Sequence, residues 1–214
     1  MTQGQQRPDD FASHLSAMVF TISQMIGRIN TATLVQVMGV TSAGGLAVAG
    51  TVDVQPLVNQ VDGAGGVVPH GTIYGIPYYR AQGGADAIIL DPAVGDIGLA
   101  VFADHDISSV IQNRGASNPG SARQFDFSDG MYFGGFLNNI PSQYIQFNAS
   151  GITISTPNNV VVNCTGSATV TADGGVSIDG QGSGVTNGIV QGQCVCAFTG
   201  APHAMISGTV KGSI

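Results

Sequence analysis

Residues 152–179 read ITISTPNN, VVVNCTGS, ATVTADGG and VSID, which are three units of eight residues and the opening of a fourth. Ile152, Val160, Ala168 and Val176 stand eight apart, and Ile154, Val162, Val170 and Ile178 make the same progression two positions later. Residues two apart share a strand face, so each unit carries one short apolar face. Between the faces lie Ser155-Thr156-Pro157-Asn158-Asn159, Thr165-Gly166-Ser167 and Asp173-Gly174-Gly175, residue types that reverse or redirect a strand. One such ribbon leaves its apolar side chains open to water. Three copies about a threefold axis would bury them against one another, and stacked repeats would support their neighbours in sequence. The pattern predicts a homotrimer with an intertwined β-helical stem over residues 141–190, its core formed by Ile152, Ile154, Val160, Val162, Val170, Val176 and Ile178. A sandwich extension of one chain and a low-complexity linker are the alternatives.

Working towards the N-terminus, the pattern changes from repeats to a barrel. Leu34, Val35 and Val37 precede Gly44-Gly45; Leu46 and Val48 lead into Val52, Val54, Leu57 and Val58; Ile73 to Tyr79, Ala87 to Leu90 and Ile97 to Phe102 follow. Alternation of this kind argues for half-buried strands. Five short strand regions fit a small closed barrel, in which pairing removes exposed edges. Asp62 to Gly66 is expected as a flexible break. Asn113 to Arg123 is expected as a loop, and Phe125, Phe127, Met131, Tyr132 and Phe133 as a turn-rich aromatic transition. The barrel and transition together span 31–140.

Residues 1–30 differ again. Phe11, Leu15, Met18, Val19, Ile22, Met25, Ile26 and Ile29 recur at three- and four-residue spacing, which predicts a helix over about 10–29 with Asp9 or Asp10 at its N-terminus. Its stripe has no basic companion face, which argues for packing rather than membrane association. Leu15, Ile22 and Ile29 are the expected partner-docking residues.

The whole chain has 214 residues, a formal charge of −7 and six Lys or Arg. That balance excludes the basic footprint of a nucleic-acid channel. Thirty-two Gly and thirteen acidic residues suit a turn-rich β protein, while the recurring Val, Ile and aromatic residues exclude the signature of disorder. The apolar stretch Val19 to Ile29 is interrupted by polar residues and is too short to span a membrane. No basic signal-peptide pattern opens the sequence.

Three separated segments, Val52-Asp53-Val54-Gln55-Pro56-Leu57-Val58-Asn59, Gly95 to Ser109 (GDIGLAVFADHDISS) and Arg123 to Gly130 (RQFDFSDG), together resemble the membrane-piercing baseplate spikes of contractile-tail bacteriophages that carry an N-terminal OB-like domain. The resemblance covers most of residues 31–140. It implies a homotrimer at the centre of a virion tail baseplate, synthesised in the host cytoplasm and joined to a hub or tail tube. Sheath contraction would drive it through the bacterial outer membrane. Its role would be mechanical, without catalysis and without nucleic acid. A trimeric receptor-binding or capsid-decoration protein is the alternative.

Residues 191–214 resemble a compact tip closing the stem, but known spike tips place two histidines one residue apart and this tip has only His203. Cys194, Cys196 and His203 from three chains are nonetheless candidate ligands for zinc or iron, softer donors than calcium takes. A metal-free cap is the other reading. Elsewhere, Asp104-His105-Asp106 has the residue types of acid–base chemistry, but adjacent side chains usually point apart, which favours turn or interface contacts. Arg123 with Asp126 and Asp129 is expected to form a polar network where barrel meets stem.

Overall fold

Ser13, not an aspartate, begins the helix. The computed structural model describes Asp9, residues 13–41 and residues 45–174, and in it α1 runs His14–Ile26. The Ser13 hydroxyl accepts from the Ser16 amide at 3.2 Å while the Ser16 hydroxyl accepts from the Ser13 amide at 3.0 Å, a reciprocal capping box built from two serines. The helix therefore starts later than the expected residue 10. Gly27 caps its C-terminal end.

The protein is mostly β after α1. Strand β1 (Ala32–Thr41) pairs antiparallel with β2 (Thr51–Pro56). Two short hairpins and one sheet strand follow: β3 (Gln60–Val61) with β4 (Val67–Val68), then β5 (Ile73–Pro77), then β6 (Ala81–Gly83) with β7 (Asp86–Ile88). Next come β8 (Ile97–Phe102), the short helix α2 (Ser108–Asn113), a 3-10 turn (Phe127–Asp129) and β9 (Gly130–Phe133). The main sheet has the order β5-β2-β1-β8-β9, antiparallel throughout.

This sheet curls into an OB-like half-barrel. Register shifts between Val37 and Gly39 and between Val52 and Val54 bend its strands. The outer strands then approach one another at a parallel bridge between Tyr78 and Tyr132, where the Tyr79 amide donates to the Tyr132 carbonyl at 2.8 Å. A side chain at Gly98 would strike the Tyr132 ring and approach the Phe133 carbonyl to 2.5 Å, so glycine lets β8 and β9 close together. Strands β2 and β8 bury every second residue, as alternation dictates. Val35, Val37, Val52, Val54, Ile76, Ala100, Phe102 and Tyr132 fill the interior.

Three expectations for this region change. The fifth sheet strand is Gly130–Phe133, not Ala87–Leu90; the latter region supplies β7, which pairs only with β6. Tyr132 faces inward between two exposed or half-buried neighbours, and this alternation is masked in sequence by the aromatic and glycine residues around it. Leu46 and Val48 are exposed turn and loop residues rather than the lead of a strand. Asp62 to Gly66 is an ordered hairpin turn, with the Asp62 carboxylate accepting from the Ala64 and Gly66 amides at 2.9 and 2.6 Å.

The chain forms two compact units, divided between Pro141 and Ser142. In the second, β10 (Tyr144–Asn148) and β11 (Gly151–Ser155) make an antiparallel hairpin. The Asn148 side chain accepts from the Ser150 amide at 2.9 Å, and Gly151 takes φ +126° to enter β11. Among the described residues no strand follows β11.

Candidate functional site

The register of the hairpin sorts its side chains by face. Ile145 opposes Ile154 and Phe147 opposes Ile152, so four apolar side chains lie together on one face. Tyr144, Gln146, Asn148, Thr153 and Ser155 belong to the other. The apolar face is open: Ile145, Phe147, Ile152 and Ile154 are 63–75% exposed. Val160, Val162 and Val170 continue the eight-residue progression and are 64–79% exposed. The hairpin thus brings Ile152 and Ile154 together, whereas Val160, Val162 and Val170 lie outside any strand. A strand needs a hydrogen-bonding neighbour, and, among the described residues, 157–174 belong to no ladder. Val176 and Ile178 lie outside the described residues, as do Cys194, Cys196 and His203.

Sequence reasoning did not include Ile145 and Phe147 in the apolar face. They fall outside the eight-residue progression because they occupy the outgoing arm of a hairpin. The signal was the alternation Tyr144-Ile145-Gln146-Phe147-Asn148, short but of strand period.

The polar clusters of the first unit hold loops together. Arg123 joins two buried carboxylates: its Nε donates to Asp129 at 2.7 Å, and one Nη donates to both Asp129 and Asp106 at 2.9 Å. Asp129 is 0% exposed and Asp106 is 4% exposed. Asp129 also accepts from the Ile107 amide, while Asp106 accepts from the Ser108 amide and the Ser121 hydroxyl. The hydrogen bonds from Ser108, then Ser121, and the charge of Arg123 hold the Asp106 carboxyl down to about 2. The guanidinium is held well above its usual range by Asp129. Asp126, expected in this network, instead accepts from the Ser128 amide at 2.8 Å and caps the 3-10 turn. Asp106 takes its place in the hydrogen bonding, while the charge of Asp126 still acts on Arg123. Nothing in the local spacing distinguishes them, because Asp106 reaches Arg123 from the far end of β8.

A second clasp closes the opposite loops. Asp91 accepts from Arg80 at 2.6 Å, from the Tyr78 hydroxyl at 2.7 Å and from the Gly45 amide at 3.0 Å. Arg80 also donates to the Ala47 carbonyl. The hydrogen bond from Tyr78, followed by that from Arg80, lowers the Asp91 pKa. In both clasps the carboxylates accept from several of the protein's own donors, an arrangement that positions loops. Asp104 contacts the His105 ring at 3.0 Å, but both side chains are more than half exposed, and Asp106 points away from them into its clasp.

An open cavity of about 380 Å³ lies beside Pro56, His70, Thr72, Tyr74, Phe127 and Ser128. The His70 ring meets Phe127 edge to face at 5.8 Å. Among the described residues no acidic side chain or cysteine lines it. Among the described residues no cluster of three or more His, Cys, Asp or Glu is arranged to hold a metal, and no helix is long and apolar enough to cross a membrane.

Leu15, Ile22 and Ile29 are 71, 49 and 43% exposed, and α1 buries no side chain. Two apolar surfaces, one on α1 and one on the hairpin with its continuation, are therefore the candidate functional sites. No protein-family model matches this chain, and no curated protein matches it.

Proposed function

We propose that this chain is a structural spike subunit that acts as a homotrimer, its C-terminal segment intertwined with two others in a β-helical stem. The observation that carries the reading is the open apolar face of β10–β11 and its continuation through Val160, Val162 and Val170. A two-stranded hairpin with one apolar face in water is at most marginally stable by itself. Partners that repeat the same eight-residue pattern supply both the missing strand neighbours and the missing apolar cover. Identical copies meet that requirement without a second protein.

The half-barrel suits the other end of such a device. Its own core and two ionic clasps make it a folded body independent of the stem, able to carry attachment to a baseplate hub or tail tube. Force applied there during sheath contraction would pass along the stem to a narrow tip and through the bacterial outer membrane. Carboxylates engaged by the protein's own donors fit a role that needs rigidity and no turnover. The resemblance of residues 52–59, 95–109 and 123–130 to membrane-piercing spikes supports the biological setting. Cryo-electron microscopy of the assembled particle tests it: three copies on the tail axis are expected. A peripheral location with the barrel facing outward would overturn puncture in favour of receptor binding or capsid decoration.

A further inference from the structure

The half-barrel closes at one end of its seam and stays open at the other. Its outer strands meet at the parallel bridge between Tyr78 and Tyr132. Tyr74 and Ser128 each stand four residues before that bridge, and there the two backbones form no ladder among the described residues. The chain enters β9 through the 3-10 turn Phe127–Asp129, held by the Asp126 carboxylate, instead of as strand. The cavity of about 380 Å³ lies in this gap, lined from both sides of the seam.

The cavity is built on fixed parts. Phe127 packs against the barrel core and meets the Phe102 ring edge to face at 5.0 Å and the His70 ring at 5.8 Å. The Gln55 side chain donates to the His70 carbonyl at 2.9 Å, and Pro56 and Ile73 are buried. Tyr74 is 74% exposed and adds a further ring. Among the described residues, the His70 ring nitrogens and the Thr72 and Tyr74 hydroxyls engage no donor or acceptor of the protein, in contrast to the polar groups of the two clasps. The lining holds no Asp, Glu, Lys or Arg.

We propose that this cavity binds a neutral pyranose sugar, free or as the end of a glycan. An anion would find no cationic side chain here, and a metal ion no carboxylate. A hydrocarbon would strip water from three polar side chains and return no hydrogen bond. A pyranose meets both kinds of lining: its polarised C–H face suits the electron-rich faces of Tyr74 and Phe127, and its hydroxyls suit the imidazole and the two protein hydroxyls. The volume falls at the small end of the roughly 300–1,000 Å³ of small-molecule sites. The site lies wholly within the first unit and does not depend on the trimeric reading.

Saturation-transfer NMR on the full chain tests this, with methyl α-glucoside, methyl β-galactoside, methyl N-acetyl-β-glucosaminide and maltotriose as probes. Glucitol, which has the hydroxyls without the ring face, is the comparator. Saturable pyranoside binding with a dissociation constant on the order of 1 mM is expected, and none from glucitol. Maltotriose binding more tightly than methyl α-glucoside would assign the site to a glycan end, and equal binding would assign it to a single sugar; both support the proposal. Tyr74→Ala and the shape-preserving Thr72→Val should each weaken binding about fivefold, with thermal melts verifying that the barrel stays folded. No saturable binding by any pyranoside, binding of glucitol equal to the glucoside, or affinities unchanged in both variants overturns the sugar site. A fall in trimer association of Tyr74→Ala, read by sedimentation, would show that another copy covers the cavity; it overturns the sugar site and leaves the spike reading in place.

Discussion

Val52 and Val54 in the barrel and Ile152 and Ile154 in the hairpin have the same spacing on antiparallel strands of similar length. The first pair is 0% exposed; the second is 67 and 64% exposed. Local pattern is the same, so the difference lies in what stands opposite. In the barrel, bulges bend the sheet until its outer strands β5 and β9 approach and all five strands contribute to a shared interior. In the hairpin, two strands have nothing to bend around. Alternation specifies that a face is apolar; it does not specify whether the cover comes from the same chain. The comparison can be broken most forcefully at the stem. Val162→Asp with Val170→Asp would put carboxylates from three copies at the proposed axis, and trimer association is expected to weaken by roughly 1000-fold or more. The barrel should keep its melting transition, because neither valine is a member of its core. Sedimentation and calorimetry on the same samples check this. A mutant trimer as tight as wild type would show that these residues are not buried by association.

That contrast also explains how much could be read in advance. The β-rich character, the N-terminal helix and the first strands of the barrel are legible in sequence, since Val52 to Gln55 alternates, and Leu34 to Val37 and Ile97 to Phe102 are short apolar runs of strand length. The last barrel strand is not, because Gly130, Gly134 and Gly135 bracket it with turn residues, and long-range pairing with β8 and closure against Tyr78 make it a strand. The same holds for the clasp. Arg123 and Asp129 are six apart and were legible as a pair, whereas Asp106 is seventeen residues away and joins them through the curl of the sheet. Long-range geometry chose Asp106 over Asp126.

The clasp provides the next test, now from the barrel side. Arg123→Ala would leave two buried carboxylates facing each other without their cation, and the barrel melting temperature is expected to fall by roughly 10 °C. Because Arg123 is remote in sequence from the eight-residue repeats, the stem's association should persist wherever the barrel remains folded. Arg123→Lys should recover only part of the loss, since an ammonium cannot donate in the forked geometry that reaches both carboxylates. Thermal melts of the three proteins decide the order; equal melting temperatures for wild type and Arg123→Ala would remove the clasp from the account of barrel stability.

A milder perturbation of the same clasp is acid. The Asp106 carboxyl is lowered from 3.8 to about 2 in the folded protein, so it binds a proton less readily folded than unfolded. Its contribution to stability is present above about pH 4 and is lost as pH falls towards 2. The lowered carboxyls of Asp91 and Asp126 act in the same direction. Denaturant midpoints of the barrel should therefore be flat from pH 7 to about pH 5 and decline below about pH 4. In an Asp106→Asn variant the slope below pH 4 should be shallower, and an unchanged slope would assign the acid sensitivity to other groups.

The smallest expected effect probes the barrel interior itself. Tyr132 is 1% exposed, and its hydroxyl has no hydrogen-bond partner in the structure. Burial, with a smaller contribution from the charge of Asp96, pushes the phenol up to about 12, so the group is a neutral donor held in an apolar surround. A buried donor left unmatched costs free energy, and removing it while keeping the ring relieves that cost. Tyr132→Phe retains the ring beside Gly98 and retains the backbone carbonyl that accepts from Tyr79. The variant should match wild type or gain up to about 1 kcal/mol, with an unchanged denaturant m-value. A loss of more than about 1 kcal/mol would mean that the hydroxyl is satisfied in solution, by a buried water bridging it to a neighbour. The barrel would then owe part of its closure to a polar network. A neutral or stabilising result would instead locate that closure in apolar packing of the Tyr132 ring, the kind of cover that the hairpin face lacks within its own chain.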